Sequence, residues 1–252
     1  ASEPQIGCII LEPTGGQFGA VPIRGDFLKA LREITSRHQR VLIFDEVISG
    51  FRVHPGGAQE LYGVKPDLTT LAKILAGGLP GGCLAGRADI LAFLEFRAGK
   101  PKMKHPGTFN ANPLSAAAGV ATLRLVADGQ ACAKANRTGQ LLRKRLNQML
   151  AERSCDWVSY GEFSSFRLVP NYQGPRPNSD DFVPYNGDLE KLDGLKNKQL
   201  VHAFRCGMLL HGIDTPGLSG WLSAMHNEAD VEKTVTAVSG TLDLLRAEGL
   251  IP

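Results

Sequence analysis

Apolar positions in the first third of the chain occur as continuous runs separated by a stretch of helical spacing. The runs QIGCIIL and VLIFD predict strands that are buried on both faces. Between these runs, one helical face is marked by Phe27, Leu28, Leu31 and Ile34. DLTTLAK and PGGCLAGR predict two further strands, with a short helix near residues 58–62 before them. This order predicts an α/β fold with a mostly parallel sheet between helices.

Helical spacing continues through residues 112–150. Pro113 suits the first turn of a helix, and Gly129 divides the stretch into two helices. We therefore expect two domains, residues 1–128 and residues 129–252, of which the second is a smaller α+β unit.

The second region contains short apolar runs and one strongly periodic helix. Three strands are predicted, in SSFRLV, GMLLHG and GWLSAM. The last helix carries an apolar stripe at Val231, Val235, Val238, Leu242 and Leu245. Asn227 followed by Asp230 is typical of an N-terminal helix cap. The polar segment 171–197, rich in Pro and Gly, is predicted to be a loop excursion.

Composition and charge point to small-molecule chemistry. The chain has 252 residues, 43% of them apolar, and a formal net charge of +3 without any run of Lys or Arg. This charge pattern gives no basis for nucleic-acid or membrane-surface binding. The five cysteines lack a CxxC pair, so we expect reduced, buried thiols in a cytoplasmic protein. No leader, no apolar stretch of roughly 20 residues and no metal-ligand spacing of His residues is evident, so no metal is expected.

Asp45 closes an apolar run in VLIFDEVISGFR. The carboxyl end of a central strand is where open α/β sheets place their ligands, so Asp45 is a candidate for holding a heterocyclic nitrogen protonated. An Asp that merely caps the next turn is the structural alternative. A Walker B strand would look similar, but the chain has no GxxxxGK[ST] loop, which argues against an ATPase.

Lys73 and Thr108 complete a set of three. Lys73 precedes the glycine-rich string GGLPGG and is a candidate Schiff-base lysine and general base; the alternative is a surface lysine. Thr108 follows Gly107 ahead of a helix start, where a hydroxyl can bind phosphate or simply serve a turn. An aspartate, an amine and a hydroxyl in this order outline a pyridoxal 5'-phosphate site.

The strings EPTGGQFGAVP, LIFDEVISGFR, PDLTTLAKILAGGLPGG and HPGTFNANPLSAAAG, with LSAMHNEAD near the end, resemble the class III aminotransferases. Within this family of fold type I pyridoxal phosphate enzymes, the chain is most similar to the glutamate-1-semialdehyde aminomutase-like branch. The resemblance implies part of the cofactor-binding large domain at residues 1–128, followed by the small α+β domain. It also implies amino-group transfer through ketimine and pyridoxamine forms.

The resemblance extends the candidate site to residues of weaker specificity. Val47 corresponds to an apolar residue that packs on the cofactor ring, although it is otherwise a core valine. Gln17 stands where the aminomutases commonly have Asn near the ring hydroxyl. Glu228 matches an acidic position near the substrate entrance, and its structural alternative is a favourable charge at a helix start. Ser164 lies in the region that lines the substrate channel. The residue matching Thr108 reaches the phosphate of the partner subunit's cofactor, which implies a homodimer with shared active sites.

Family members are considerably longer, and this chain resembles their second half. Their phosphate loop and the aromatic residue stacked on the cofactor precede the EP motif. Three functions therefore stay open: an aminomutase acting on glutamate 1-semialdehyde, a class III ω-aminotransferase with another amine donor, and a catalytically silent fragment or dimerisation module. Many ω-aminotransferases carry a carboxylate-binding arginine in a C-terminal motif, whereas no arginine occurs here between Arg205 and Arg246, which favours the first.

Overall fold

The computed structural model describes residue 3 and residues 5–23, 25–95, 102–193 and 197–252. The chain divides into two compact units. The amino-terminal unit comprises residues 1–18 and 22–130, and the carboxy-terminal unit comprises residues 19–21 and 131–252.

A four-stranded sheet organises the amino-terminal unit. Its strands, in their order across the sheet, are β1 (Cys8–Leu11), β2 (Val41–Asp45), β3 (Leu68–Leu71) and β4 (Cys83–Gly86). The pairs β1–β2 and β2–β3 are parallel, whereas β3–β4 is antiparallel. The predicted mostly parallel sheet is therefore confirmed. Strand β4 runs backwards because a short connection joins it to β3, and a parallel pair needs a longer crossover.

Among the described residues of this unit, regular α-helices and short 3₁₀ helices accompany the sheet. The α-helices are α1 (Phe27–Arg37), α2 (Gly57–Leu61), α3 (Ala88–Leu91) and α4 (Pro113–Val126). The 3₁₀ helices are Lys73–Ala76 and Ala92–Leu94. The core contains Leu28, Leu42, Phe44 and Val64. In the string ADILAFLEF, which follows β4 and has helical spacing, the α-helix ends at Leu91 and a 3₁₀ helix continues to Leu94, while Phe96 lies outside the described residues.

The face predicted for α1 is only partly correct. Leu28 is buried, but the side chains of Phe27 and Ile34 are 48% and 49% exposed. The i, i+3, i+4 spacing of apolar residues correctly predicted the helix, although it did not predict which of these residues are buried.

The carboxy-terminal unit is an α+β arrangement, as predicted. Its antiparallel sheet has the order β5 (Val158–Tyr160), β6 (Ser165–Val169), β7 (Ser219–Trp221). Its helices are α5 (Gln130–Glu152), α6 (Leu189–Asp193), α7 (Lys198–Leu210) and α8 (Glu228–Ala247). Trp157 and Phe204 lie at the centre of the core, with ring centroids 5.8 Å apart.

Helix α8 confirms the predicted stripe and the predicted cap. Val231, Val238 and Leu242 are fully buried. Asn227 accepts hydrogen bonds from the main chain of α8, and the Asp230 carboxylate accepts one from the Asn227 amide, which completes a capping box.

In this unit one strand prediction is wrong and one strand was missed. GMLLHG is the end of α7 and not a strand, while β5 was not predicted. Gly207 is the point where α7 approaches α8, since a Cβ there would lie 2.6 Å from the Thr241 methyl carbon. Strand β5 has three residues and therefore shows too little alternation to be recognised.

The prediction that the cysteines are buried is wrong for three of the five. Cys8, Cys83 and Cys206 are exposed, Cys132 and Cys155 are buried, and all five are free thiols. The segment 171–197 contains turns and α6, and its residues 194–196 lie outside the described part. No helix within the described ranges combines the length and the apolar character needed to cross a bilayer.

Candidate active site

Asp45 is the last residue of β2, directly across from Thr70 of the parallel strand β3. One carboxylate oxygen, Oδ1, accepts hydrogen bonds from the Thr70 hydroxyl at 3.0 Å and from the Val47 amide at 3.1 Å. The second oxygen, Oδ2, has no partner among the residues that the structure describes. Asp45 is therefore held by one oxygen and presents the other. Thr70 was not singled out from the sequence, although its position one strand from Asp45 was the available signal.

Lys73 begins the 3₁₀ helix Lys73–Ala76, two residues after the end of β3. It was predicted at the end of a strand, but β3 ends earlier and Lys73 has a left-handed backbone with φ of 50°. Its side chain is exposed and forms no ion pair with any described residue. Because β2 and β3 are parallel neighbours, Asp45 and Lys73 come from the same edge of the sheet.

Helix α4 supports the segment that carries Lys73. A Cβ on Gly119 would lie 2.6 Å from the carbonyl oxygen of Leu75, so only glycine allows α4 to pack this closely. Gly77 ends the 3₁₀ helix in the left-handed conformation with φ of 62°. Farther along, the Ser115 hydroxyl donates to the Pro80 carbonyl at 2.6 Å. These contacts fix the glycine-rich turn from both ends.

Glu46, next to Asp45, has a structural role. It is 1% exposed, and its carboxylate accepts hydrogen bonds from the Ala58 amide at 2.5 Å, the Ser49 hydroxyl at 3.1 Å and the Gln59 side chain at 3.2 Å. A buried carboxylate needs such partners. Glu46 thereby ties the loop after β2 to the start of α2.

Asp67 anchors the strand start behind the site. Its carboxylate accepts from the Leu42 amide at 2.8 Å and from Arg32 and Arg87 at 2.9 and 3.1 Å. Burial acts to raise the pKa of Asp67, but the Leu42 amide and the two guanidinium groups outweigh it, so the pKa lies below its ordinary value. The network keeps β2 and β3 in register near Asp45.

Glu12 and Gln17 form a tight turn after β1. The Glu12 carboxylate accepts from the main-chain amides of Gln17 and Phe18, both at 2.9 Å. Both amides belong to residues with φ of 56°. Glu12 therefore stabilises a strained turn that buries Phe18 and leaves Gln17 exposed.

Thr108 is exposed in a turn between Gly107 and Asn110. The main-chain N–H of Asn110 donates to the Gly107 carbonyl at 3.0 Å. The Thr108 hydroxyl has no partner within the described ranges. Asn112 then caps α4 by accepting from the amides of Leu114 and Ser115. The hydroxyl is thus available just before a helix that packs on the segment carrying Lys73.

Glu228 and Ser164 belong to the carboxy-terminal unit. Glu228 is the exposed first residue of α8, where its charge also suits the helix dipole. Ser164 is 0% exposed, and its hydroxyl has no hydrogen-bond partner among the described residues. Among all residues that the structure describes, in either unit, no cluster of three or more His, Cys, Asp or Glu residues has the geometry of a metal site.

The chain is similar to curated aminomutases along nearly all of its length. It is 38% identical over 244 residues to the glutamate-1-semialdehyde 2,1-aminomutase of Methanothermobacter thermautotrophicus, covering 96% of this chain and 54% of that relative. The enzyme of the same name from Akkermansia muciniphila is 36% identical, with 95% and 54% covered. The chain thus spans about half the length of the curated relatives that it matches.

Solved structures have the same fold. An omega-transaminase from Sphaerobacter thermophilus is 31% identical with a TM-score of 0.74, covering 93% of this chain and 52% of that one. A glutamate-1-semialdehyde aminomutase from Pseudomonas aeruginosa is 24% identical with a TM-score of 0.78, covering 96% and 53%. The family model described as aminotransferase class III matches residues 1–169. The chain therefore belongs to the class III aminotransferase family.

Proposed function

We propose that Asp45 and Lys73 form the centre of a pyridoxal 5'-phosphate site. The observation that carries the proposal is their joint presentation at one sheet edge: Asp45 offers a free carboxylate oxygen, and Lys73 offers an exposed amine without an ion pair. These groups fit the cofactor, since one can accept a hydrogen bond from the pyridinium and the other can attach to the aldehyde.

Three further residues are assigned to the same site. Val47, which is half-buried beside Asp45, would pack on the ring face. The exposed amide of Gln17 would lie near the ring hydroxyl. Thr108, whose hydroxyl lacks a partner in the described chain, would bind the phosphate of a partner subunit's cofactor. Glu228 and Ser164 remain substrate-contact proposals, and the burial of Ser164 means that its hydroxyl would need to become accessible.

The bound cofactor would supply an electron sink for bond breaking at the substrate's α carbon. Asp45 would keep the ring nitrogen protonated, and its orientation is fixed by Thr70 and Val47. Lys73 Nζ would accept and return the proton at the reacting carbon. The close packing of α4 on the Lys73 segment would hold this amine in position.

The proposed reaction of the complete enzyme, meaning this chain together with the further portion that its relatives possess, is amino-group transfer of the glutamate-1-semialdehyde 2,1-aminomutase type. The names of the curated relatives and the arginine-free tail between Arg205 and Arg246 support it. An ω-aminotransferase is the second candidate, since the similar Sphaerobacter thermophilus protein is an omega-transaminase. Isomerisation of glutamate 1-semialdehyde without an added oxo acid supports the first, and transamination only between separate amines and oxo acids supports the second.

We also propose a cytoplasmic homodimer in which residues 1–128 belong to the cofactor-binding domain and residues 129–252 form the small domain. The free thiols are compatible with a reducing compartment. An exposed apolar stripe on α4 supports a subunit interface, since Leu114 and Leu125 are 67% and 77% exposed on one helical face.

The assignment of Lys73 is tested by trapping the cofactor. The complete enzyme is incubated with pyridoxal phosphate and reduced with borohydride, and its peptides are mapped by mass spectrometry. We expect the pyridoxyl group on Lys73 and its loss from that peptide in Lys73→Arg. Lys65→Arg, which changes another exposed lysine of the same unit, serves as the control and should leave the label in place. A label on another lysine in the unmodified enzyme contradicts the assignment, and an enzyme that takes up no label favours the catalytically silent module.

A further inference from the structure

The carboxy-terminal unit contains a polar cleft that the proposed chemistry does not use. Its volume is about 830 Å³, within the range of small-molecule sites. One wall is a stripe of α5 with members three and four residues apart, including Arg137, Leu141 and Lys144. The opposite wall is the segment 176–182, and strand β5 contributes Ser159 and Tyr160. The lining therefore combines one helix face, one strand and one loop.

Positive charge dominates this cleft. It is lined by four cationic side chains and by one carboxylate, that of Asp180. Asp180 is already paired with Arg143 at 2.6 Å. Arg137 and Lys144 have no carboxylate partner within the described chain, and Arg176 donates its hydrogen bonds to main-chain carbonyls. Three cations in the cleft thus remain without an acidic partner.

The loop wall is fixed by two arginines. The Arg143 side chain is 3% exposed and holds Asp180 through two hydrogen bonds, of 2.8 and 2.6 Å, while also donating to the carbonyls of Phe163 and Ser165. Arg176 donates to the Trp157 carbonyl at 2.7 Å and to the Cys155 carbonyl. Because both arginines bind the main chain around the sheet, the cleft has a defined shape before any ligand enters.

The strand side of the cleft contains an unpaired hydroxyl. Ser159 is 1% exposed, and its Oγ has no hydrogen-bond partner among the described residues. Its main chain is fully engaged by the Asn147 amide, which accepts from Ser159 N at 2.7 Å and donates to Ser159 O at 2.8 Å. Leu141 and Phe182 add apolar surface to the lining. A buried hydroxyl without a partner is uncommon in a folded protein.

We propose that this cleft binds a small organic anion carrying phosphate or carboxylate groups. Arg137 and Lys144 would contact the anionic groups, and Leu141 and Phe182 would contact the apolar body. Guanidinium and ammonium groups without acidic partners are the side chains that recognise both phosphates and carboxylates. This second site lies entirely within the carboxy-terminal unit, whereas Asp45 and Lys73 belong to the other unit, so the inference does not depend on the proposed function.

Isothermal titration of the complete enzyme with pyrophosphate and, separately, with citrate tests the proposal. We expect saturable binding of at least one anion and an affinity weaker by about tenfold or more in Arg137→Gln/Lys144→Gln. The matched control is Arg145→Gln, which removes a charge from the same helix at a position outside the cleft, where Arg145 pairs with Glu232 at 2.7 Å. The control should bind like the unmodified protein.

Comparison of the two titrations identifies the anionic group that the cleft prefers. Tighter binding of pyrophosphate indicates a phosphate-bearing ligand, and tighter binding of citrate indicates a carboxylate-bearing ligand. Circular dichroism of each variant checks that it folds. If the double variant does not fold, Lys144→Gln alone is titrated, and an unchanged affinity there overturns the proposal. Absence of saturable binding by both anions, or an equal loss of affinity in Arg145→Gln, also overturns it.

Discussion

At the scale of single residues, the Thr70 hydroxyl orients the Asp45 carboxylate. Its hydroxyl and the Val47 amide occupy the same carboxylate oxygen, which leaves the other oxygen for a ligand. Thr70→Val removes this hydrogen bond with little change of volume. We expect amino-group transfer by the complete enzyme to fall about fivefold, since a hydrogen bond contributes about 1 kcal/mol.

Asp45→Asn provides the comparison for Thr70→Val. In the proposed site it removes the negative charge that would stabilise the protonated ring, so we expect a loss on the order of 100-fold. Steady-state rates and the yield of pyridoxyl-Lys73 after reduction are measured for both variants. Both should retain the label, because attachment depends on Lys73. Equal rates in Asp45→Asn and the unmodified enzyme would leave Asp45 with a purely structural role.

A second residue-scale prediction concerns Glu162. Burial raises the pKa of this carboxyl, and the nearby Arg143 only partly opposes the effect. Because the pKa of this carboxyl is raised in the folded state, the unfolded chain loses the proton at a lower pH than the folded chain does. The free energy of unfolding therefore falls as the pH rises from the ordinary pKa, about 4.3, through the folded-state pKa. Glu162→Gln should therefore raise Tm at pH 7 and have a smaller effect at pH 4, as measured by thermal unfolding.

Glu232→Gln is the control of opposite sign. The hydrogen bond from Arg145 lowers the pKa of Glu232, so its carboxylate contributes to folding above its ordinary pKa and loses this contribution as the pH falls through the folded value. We expect Glu232→Gln to lower Tm slightly at neutral pH. A Tm difference for Glu162→Gln that is the same at pH 4 and pH 7 would contradict the assigned cause.

At the scale of secondary-structure elements, the packing of α4 against the 3₁₀ helix Lys73–Ala76 determines the position of Lys73. Gly119→Ala should gain about 1 kcal/mol of helix propensity, yet its methyl group would be placed 2.6 Å from the Leu75 carbonyl oxygen. We expect the clash to prevail, lowering Tm and reducing the pyridoxyl label on Lys73. Gly7→Ala, where a Cβ meets nothing within 4 Å, is the control and should change neither measurement.

The elements also show which sequence patterns were sufficient. The apolar stripe and the cap of helix α8 were both predicted, because both are local signals. The end of α7 was missed because Gly207 permits contact with Thr241 of α8, a long-range reason that short-range patterns do not contain. Lys73 was placed one element too early, since nothing in DLTTLAK signals its left-handed φ. The candidate residues were identified from motifs, whereas Thr70 became apparent only through strand pairing.

At the scale of the whole molecule, the exposed stripe of α4 predicts assembly. Leu114, Ala121 and Leu125 lie along one helical face, at spacings of seven and four residues, and all three are exposed. We expect Leu114→Ser/Leu125→Ser to shift the complete enzyme from the proposed dimer towards monomer in light scattering. Leu210→Ser, at a residue 78% exposed in the carboxy-terminal unit, is the control. A dimer of unchanged stability in the double variant would place the subunit interface elsewhere.

The left-handed backbone conformation of Lys73 lowers the stability of the folded chain at the residue that carries the proposed reactive amine. A residue with a side chain is disfavoured by roughly 1–2 kcal/mol at such a φ, whereas glycine is not. Lys73→Gly should therefore relieve this backbone cost while removing the amine that the proposed site requires. In the proposed role, lysine is kept at this position for its amine in spite of the unfavourable φ, although its side chain contributes nothing to the core.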